Sequence, residues 1–280
     1  MKKGIDISKH QKGLSMQAVK NAGYTFVILR GSYTGYGADR TKQKDPCFED
    51  FYKQAKNVGL SVGAYHYSCA RTKEEGILEA QFIYNNCLKG KTFEMPIYID
   101  VEDAKWQSDN KIGVTDAILG FCEELERLGF YSGVYSSLSW FNTKLETERL
   151  TGWTKWVARW VTGANVKPVV AFNAFDMWQY TDNGHIQGRQ VDEDICYMDF
   201  ETIIKKVGKN GYAPSLYASK AQDTEPKEAS KPTYEHIHVV AKGETLTKIA
   251  KKYKTTVKAL VEKNGIKDKN RIFVGQVLKI

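Results

Sequence analysis

Three acidic residues close the apolar segment PIYIDVEDAKW, at positions where a buried strand ordinarily carries none. Residues i and i+2 of a strand face the same side, about 6.6 Å apart. Asp100 and Glu102 therefore share one face of the predicted strand, and Asp103 takes the other. Carboxyl groups paired in this way either bind a metal ion or hydrolyse a glycosidic bond, with one as the general acid and the other stabilising the oxocarbenium centre.

Two further predicted strands end in acidic residues. Asp6 lies in GIDIS, and Asp192 lies in QVDED near the end of the last predicted strand. If the strands close into a barrel, the first and last become neighbours, and active sites of barrels gather at the carboxyl ends of the strands. The predicted cluster comprises four carboxyl groups, those of Asp6, Asp100, Glu102 and Asp192. Asp103 and Asp194 are expected to be solvated.

Aromatic residues follow the same predicted strand ends, and they suit stacking on sugar rings better than contact with a hydrated metal. They are Tyr33, Tyr65, Tyr67, Trp106, Tyr135, Trp178 and Tyr180. His10 and His185 lie in predicted loops, and His66 is expected to pack against the barrel wall. No H-E-x-x-H or C-x-x-C spacing occurs, and the five cysteines are scattered among apolar residues. The sequence therefore predicts buried, reduced thiols, with no metal and no cofactor.

Short β-rich runs alternate with amphipathic helical patterns along most of the chain, and the helical patterns cover Cys47–Val58, Lys73–Cys87 and Val114–Leu128. Eight such runs are present: Gly4–Ser8, Thr25–Gly31, Leu60–Tyr67, Met95–Glu102, Phe130–Ser137, Thr154–Trp160, Phe175–Tyr180 and Arg189–Tyr197. This alternation favours an α/β fold, either a barrel or a doubly wound sheet. The last connections are short, so we expect an irregular (β/α) barrel of the TIM type with antiparallel character in its second half.

The segment Lys209–Glu235 holds three of the six prolines and no periodic apolar pattern, which is typical of a linker. The predicted domains are residues 1–208, a linker at 209–235, and a small module at 236–280. From His236 to the C-terminus, 11 basic and 3 acidic residues give +8, whereas the rest of the chain has 30 of each. Such asymmetry indicates a separate module attracted to a polyanion, namely nucleic acid, a membrane surface or an anionic cell wall.

Several motifs, in their order along the chain, resemble family 25 glycoside hydrolases, the muramidases or lysozymes of bacteria and phages. They are GIDISKHQ, FVILRGSYTGYGADRTKQKDPCF, AKNVGLSVGAYHY, EAQFI, PIYIDVED and MWQYTDNGHIQGRQVDEDICY. The resemblance covers roughly residues 1–205. It departs from the family at the closing motif, VDED, where many members have Asn at the position of Asp194.

The resemblance implies a peptidoglycan hydrolase that cuts the β-1,4 bond from N-acetylmuramic acid to N-acetylglucosamine. Glu102 would be the general acid, and Asp100 would be the nucleophile or would orient the substrate's own N-acetyl group. Asp6 and Asp192 would line the same subsite and tune its electrostatics. The residues implied in substrate binding are Tyr65, Tyr67, Trp178, Gln179, Tyr33 and Arg30.

The C-terminal segment His238–Ile280 resembles a LysM domain, a strand-helix-helix-strand unit that binds glycans containing N-acetylglucosamine. Thr245 and Thr256 are expected to cap its two helices. The implied glycan groove comprises Gly243, Glu244, Thr245, Leu246, Asn264, Gly265 and Ile266. Its basic surface would add attraction to teichoic acids.

Together these features predict a peptidoglycan-binding hydrolase, an endolysin of a phage with a Gram-positive host or a bacterial autolysin. No apolar run reaches the roughly 18 residues of a membrane span, and no signal segment precedes GIDIS, so we expect synthesis in the host cytoplasm and action on the wall after release. Two alternatives stay open: a non-catalytic glycan-binding protein with a degenerate barrel, and a chitinase-like enzyme, although only the final D-x-E of the chitinase motif is present. Nucleic-acid binding is a more distant alternative, because the basic C-terminal segment contains no recognisable recognition helix.

Overall fold

The computed structural model describes residues 1–35, 37–160, 175–213, 237–239, 245–253, 255–264, 266 and 277–280. The chain divides into two compact units, Met1–Gln222 and Asp223–Ile280. Within the described residues, no helix is long and apolar enough to cross a membrane.

The first unit is built on a closed barrel. Its strands are β1 (Lys2–Ile7), β2 (Phe26–Thr34), β3 (Lys42–Lys44), β4 (Ser61–Tyr67), β5 (Ile97–Asp100), β6 (Ser132–Ser137), β7 (Thr154–Ala158), β8 (Met177–Ile186) and β9 (Arg189–Cys196). Eight of them close in the order β1-β2-β4-β5-β6-β7-β8-β9, and β3 adds to the edge of β2. Around the barrel, pairing is parallel from β1 to β8, whereas β9 runs antiparallel to both β8 and β1. β3 pairs antiparallel with β2 outside the closed ring. The predicted irregular barrel, with some antiparallel character in its second half, is therefore confirmed.

Helices follow the strands on the outside, at α1 (Met16–Asn21), α2 (Phe48–Val58), α3 (Lys73–Ile83), α4 (Lys111–Arg127), α5 (Leu138–Thr143) and α6 (Phe200–Val207). The side chains of Thr72 and Asn110 cap α3 and α4 by accepting from backbone N–H groups of the first turn. α3 and α4 pack closely at Gly76, which has no side chain. A Cβ at this position would lie 2.0 Å from the Ala117 carbonyl oxygen. A side chain at Gly76 would force the two helices apart.

Two apolar layers position the strands. The larger lies between the barrel and the outer helices, and the smaller fills the barrel interior with large side chains such as Phe26, Tyr98 and Trp156. α6 adds Phe200 to the interior layer, and its Glu201 accepts a hydrogen bond from Ser61 at the start of β4. The helix thus closes the end of the barrel at which the parallel strands begin, and this leaves the opposite end for chemistry.

The barrel unit continues beyond residue 208, the end predicted from the sequence. Asn210 is fully buried, donates to the Met95 carbonyl oxygen at 2.9 Å, and accepts from the Tyr131 N–H at 2.7 Å. The Tyr212 hydroxyl donates to Glu94. These contacts place Lys209–Tyr212 in the packed structure, because a buried amide that satisfies two backbone groups is part of a fold and not of a linker.

The second unit contains the predicted strand-helix-helix-strand order: β10 (Ile237–Val239), α7 (Leu246–Lys252), α8 (Val257–Asn264) and β11 (Val277–Lys279). β10 and β11 pair antiparallel. The side chains of Thr245 and Thr256 accept hydrogen bonds from the backbone of Lys248 and Ala259, so both predicted caps are confirmed. A small core of Leu246, Ile249 and Leu260 holds the helices together.

Candidate active site

The closure of the barrel brings the predicted acidic residues to one mouth. Asp6 on β1 is the direct cross-strand partner of Asp192 on β9. Asp100 is the last residue of β5, and Glu102 follows it by two residues. Asp6 and Asp100 are 5% and 4% exposed, Asp192 is half-buried, and Glu102 is exposed. The cluster therefore has a buried floor and one acid open to solvent.

Burial and mutual repulsion raise the pKa of all four carboxyl groups. Desolvation followed by the charge of Asp192 raises the pKa of Asp6, and desolvation followed by the charge of Glu102 raises the pKa of Asp100. The pKa of Asp192 rises to about 7, through desolvation first and the charge of Asp182 second. Desolvation of its carboxyl group, followed by the charge of Asp103, raises the pKa of Glu102. The cluster therefore takes up protons at a higher pH than ordinary carboxyl groups do.

Two acids that were expected to be solvated are buried. Asp103 is 4% exposed, because the polypeptide turns after β5 and its carboxylate accepts from the Tyr67 hydroxyl at 3.1 Å and the Trp106 N–H at 2.8 Å. Asp194 has no exposed surface and accepts from Trp156 Nε1 at 2.8 Å. The expectation was wrong for both residues, since each carboxyl replaces water with fixed protein donors.

Gln179 links the cluster to the barrel wall. Its Nε2 donates to Asp6 Oδ2 at 2.8 Å, and its Oε1 accepts from the Tyr135 hydroxyl and from Trp160 Nε1, each at 3.0 Å. Because both donors are directed at Oε1, the amide can present only its N–H to Asp6. Gln179 thus holds one lobe of the Asp6 carboxylate in place.

A β-bulge brings two predicted substrate-binding residues to the same face. The pairing of β2 with β4 shifts between Arg30 and Ser32, so the usual alternation is reset and Arg30 and Tyr33 pair with Tyr65 and Tyr67. Arg30 Nε donates to the buried Asp45 carboxylate at 2.8 Å, and its guanidinium lies 5.0 Å from the Tyr33 ring centroid. Arg30 also lowers the pKa of Asp100, so its positive charge acts on the acidic cluster.

Tyr65 and Tyr67 lie on β4 beside the acidic residues. Desolvation and then the charge of Asp6 raise the pKa of Tyr65, which packs its ring edge-on against Trp156. Trp178 departs from its predicted place in the sugar groove. It alternates with Gln179 along β8 and therefore points to the opposite face, where it is 2% exposed and donates to the Arg159 carbonyl oxygen.

Trp160 is an exposed aromatic residue at this mouth, and it was not among the predicted substrate-binding residues. Its side chain is 56% exposed while its indole N–H is held by Gln179. An anchored but exposed indole offers a flat apolar face to a ligand. The signal available in the sequence was its position at the end of the predicted strand TKWVARW.

A cavity of about 360 Å³ opens beside Asp192. It is lined by His10, Gln11, Asp182, Arg189, Gln190 and Asp192. In the part of the chain that the structure describes, no group of three or more His, Cys, Asp or Glu side chains is placed to hold a metal ion.

In the second unit, part of the predicted glycan groove lies outside the described residues, namely Gly243, Glu244 and Gly265. Thr245 caps α7, and Leu246 is 3% exposed in the small core, so it packs instead of facing a groove. Asn264 donates to the Leu260 carbonyl oxygen at 2.8 Å, and the Ile266 N–H donates to the Val261 carbonyl oxygen. These contacts shape the end of α8.

A barrel with catalytic-type carboxyls at the carboxyl ends of its strands, flanked by aromatic side chains, defines a glycoside hydrolase class of site. Comparison with known proteins agrees: residues 5–189 match Glycosyl hydrolases family 25, and residues 238–280 match the LysM domain. The chain belongs to glycosyl hydrolase family 25.

Individual relatives point the same way. The chain is 26% identical to the autolytic lysozyme of Clostridium acetobutylicum over 193 residues, which cover 69% of this chain and 54% of that relative. The chain thus spans about half of that curated relative. Two solved structures, each 25% identical, are similar: the catalytic domain of the endolysin ply40 from bacteriophage P40 of Listeria monocytogenes (TM-score 0.59, 73% of this chain and 97% of that one) and the bacterial lysozyme of Streptomyces coelicolor (TM-score 0.57, 72% and 94%).

Proposed function

We propose that this protein is a peptidoglycan hydrolase that cleaves the β-1,4 bond between N-acetylmuramic acid and N-acetylglucosamine. Membership of family 25 and relatives named lysozyme and endolysin support the reaction class. The observation that carries the proposal is the four-carboxyl cluster, in which Glu102 alone is exposed and three partners line the floor or wall around it.

Glu102 is the proposed general acid. Its pKa is raised by desolvation and then by the charge of Asp103, so it retains a proton at a pH where an ordinary glutamate has lost it. It donates that proton to the glycosidic oxygen as the bond from that oxygen to C1 of the muramic acid breaks. Water then adds to C1, and the proton released returns to the Glu102 carboxylate.

Asp100 is proposed to face the sugar carbon at which positive charge develops. Its Oδ1 has no hydrogen-bond partner among the described residues, although the atom is buried. A buried acceptor without a donor is available to a ligand. As the nucleophile it would bond to C1, and as the orienting residue it would accept from the N–H of the substrate's acetamido group. Asp6 and Asp192 add negative potential that stabilises the oxocarbenium centre.

The proposed sugar groove runs along the residues that share the cluster's face. Tyr33, Tyr65 and Tyr67 lie on β2 and β4, with Arg30 behind Tyr33. Trp160 lies across the mouth, with 56% of its side chain exposed. Aromatic faces on two sides would sandwich a pyranose ring, while the phenol oxygens would accept hydrogen bonds from its hydroxyl groups.

The second unit is proposed to hold the enzyme on the cell wall. It matches the LysM domain, and its sequence from His236 onward carries a net charge of +8. That charge would attract anionic teichoic acids as well as the glycan strands. We also propose that the protein acts as an endolysin, made in a bacterial host and acting on its wall, which the similarity to a phage endolysin supports.

The test is digestion of purified Gram-positive peptidoglycan, followed by borohydride reduction and mass spectrometry of the products. The intact protein should release muropeptides that end in reduced muramic acid. Glu102→Gln should release none while still binding walls, because it keeps the shape but has no transferable proton. Glu123→Gln is the matched control, since Glu123 lies on the outer face of α4 in an exposed ion pair with Lys73.

Products that end in reduced glucosamine would place the cleavage at the other glycosidic bond. No new reducing ends from the intact protein, together with retained wall binding, would favour a non-catalytic glycan-binding protein.

A further inference from the structure

Asp194 is an acid whose surroundings differ from those of the four residues above. It lies on β9 two residues after Asp192, has no exposed surface, and pairs in register with Gly4 of β1 and Gln179 of β8. Its Oδ1 accepts from Trp156 Nε1 at 2.8 Å. Its Oδ2 is buried and receives no hydrogen bond from a donor among the described residues.

Another carboxyl group lies within reach of Asp194. Asp6 pairs with Asp192 and Gly4 pairs with Asp194, so Asp6 and Asp194 are diagonal cross-strand neighbours on one face of the sheet. A hydrogen bond between the two side chains would lower the pKa of Asp6 and raise the pKa of Asp194. Two carboxylate oxygens cannot form a hydrogen bond unless one of them carries a proton. Asp6 already accepts from the Gln179 amide, which favours its ionised form, whereas Oδ2 of Asp194 has no other donor. The proton therefore belongs on Asp194.

We propose that Asp194 is a protonated carboxylic acid that donates from Oδ2 to Asp6 and so holds Asp6 ionised and oriented at the floor of the site. Its catalytic consequence rests on the proposed hydrolase function. Asp194 acts through Asp6 and is a positioning residue. Trp156 fixes Oδ1 as the acceptor, Oδ2–H points at Asp6, and Gln179 holds the second lobe of the same carboxylate.

The electrostatic surroundings agree with this assignment. Among the described residues, the ionisable groups shown to interact with Asp194 are Asp6 on β1, Asp192 and Cys196 on its own strand, and Tyr180 on β8. None of these groups carries a positive charge that could offset an ionised Asp194. Complete burial is the first cause of the raised pKa of Asp194, and the charge of Asp6 is the second.

The pH dependence of thermal stability tests the protonation state of Asp194 independently of enzymatic activity. Asp194 is neutral in the folded protein but ionises in the unfolded chain above roughly pH 4. Its folded-state pKa is raised, so its contribution is most favourable at low pH and is lost as the pH rises. Asparagine carries no such penalty, and its amide can donate to Asp6 and accept from Trp156. Asp194→Asn should therefore raise Tm at about pH 7, and the gain should vanish towards about pH 4.

Asp50→Asn, at an exposed position of α2, is the control for removing one carboxyl group elsewhere in the barrel unit. An infrared difference spectrum of wild type minus Asp194→Asn at neutral pH should contain the carbonyl band of one protonated carboxyl group. A Tm that falls equally at both pH values, or a carboxylate band instead, would overturn the proposal.

Activity tests the positioning role. Asp194→Asn should keep kcat within about threefold, because it supplies the same neutral donor, whereas Asp194→Leu should lower kcat by roughly 10- to 100-fold, because a hydrogen bond to a charged group is lost. KM should change less than kcat, since Asp194 does not touch the substrate. A kcat that falls as far in Asp194→Asn as in Asp194→Leu would contradict the role of neutral donor.

The two proposals fail separately. If the wild-type protein released no reducing ends, the hydrolase function would be wrong, yet the infrared and Tm results would still decide the protonation of Asp194. If the wild type hydrolyses peptidoglycan and the infrared band is absent, only the assignment of Asp194 fails.

Discussion

Replacing Gln179 with Leu should move the acid limb of the pH–activity profile to higher pH. Gln179 donates to Asp6 Oδ2 at 2.8 Å, and this hydrogen bond lowers the pKa of Asp6 against the raising effects of burial and Asp192. Removing the donor therefore raises the pKa of Asp6, and the ionised form appears only at higher pH. In the proposed mechanism, catalysis that depends on ionised Asp6 then begins at higher pH.

The magnitude follows from the type of hydrogen bond. A buried hydrogen bond to a charged acceptor contributes about 1.5–3 kcal/mol, and about 1.4 kcal/mol corresponds to one pH unit. The limb should move by about one to two pH units. Leu also leaves the Tyr135 hydroxyl and Trp160 N–H without their acceptor, which should lower the free energy of unfolding by about 1–3 kcal/mol.

The assay is release of reducing ends from purified peptidoglycan between roughly pH 4 and pH 8, alongside urea unfolding of the same variants. Gln81→Leu is the matched control, because it removes an amide hydrogen bond to Glu124 on the outer helices. Its activity profile should keep the wild-type shape. A Gln179→Leu profile that coincides with the wild type, at full folding, would refute the argument that the Gln179 amide controls Asp6.

Two further predictions concern the organisation of the chain. Truncation after Gln222, which ends the first compact unit, should leave the rate of cleavage of soluble glycan fragments within about twofold of the full-length rate. The rate of lysis of whole walls should fall at least about tenfold, because tethering is lost. Equal losses on both substrates would contradict the tethering role. Asn210→Ala should lower the free energy of unfolding by about 2–3 kcal/mol in urea titrations, because it leaves the Met95 carbonyl and the Tyr131 N–H without partners. A loss below about 0.5 kcal/mol would show that Lys209–Tyr212 do not belong to the barrel.

Some features of the site follow from local sequence because they depend on strand period alone. Apolar runs with strand-end acids predict both the barrel and the position of its mouth, and closure of the barrel makes Asp6 and Asp192 direct partners. The two-residue strand period does not predict which face a side chain occupies where a strand is irregular. Arg30 and Tyr33 face one side only because a bulge resets the alternation of β2.

The main error of the sequence-based prediction concerned which acidic side chains are buried. Asp103 and Asp194 read as solvated acids, since a sequence shows which residues are polar but not which donors surround them. Asp194 is buried because Trp156, 38 residues earlier in the chain, supplies an N–H to it. The two tryptophans differ from the prediction for a related reason. Trp178 was predicted to line the sugar groove, but the alternation of side chains along β8 buries it. Trp160 was not predicted, yet it remains exposed just after the neighbouring strand β7.

The sequence by itself indicated the order of strands and helices and the identity of the four clustered acids, because these depend on residue type and short-range periodicity. The family and the LysM-type unit followed from the resemblance of its motifs to known families. Only the tertiary structure decided which acids are desolvated, which amide holds Asp6, and where the first unit ends. Those properties depend on atoms brought together from distant parts of the chain, and a carboxyl group's pKa is set by its neighbours in space and not by its neighbours in sequence.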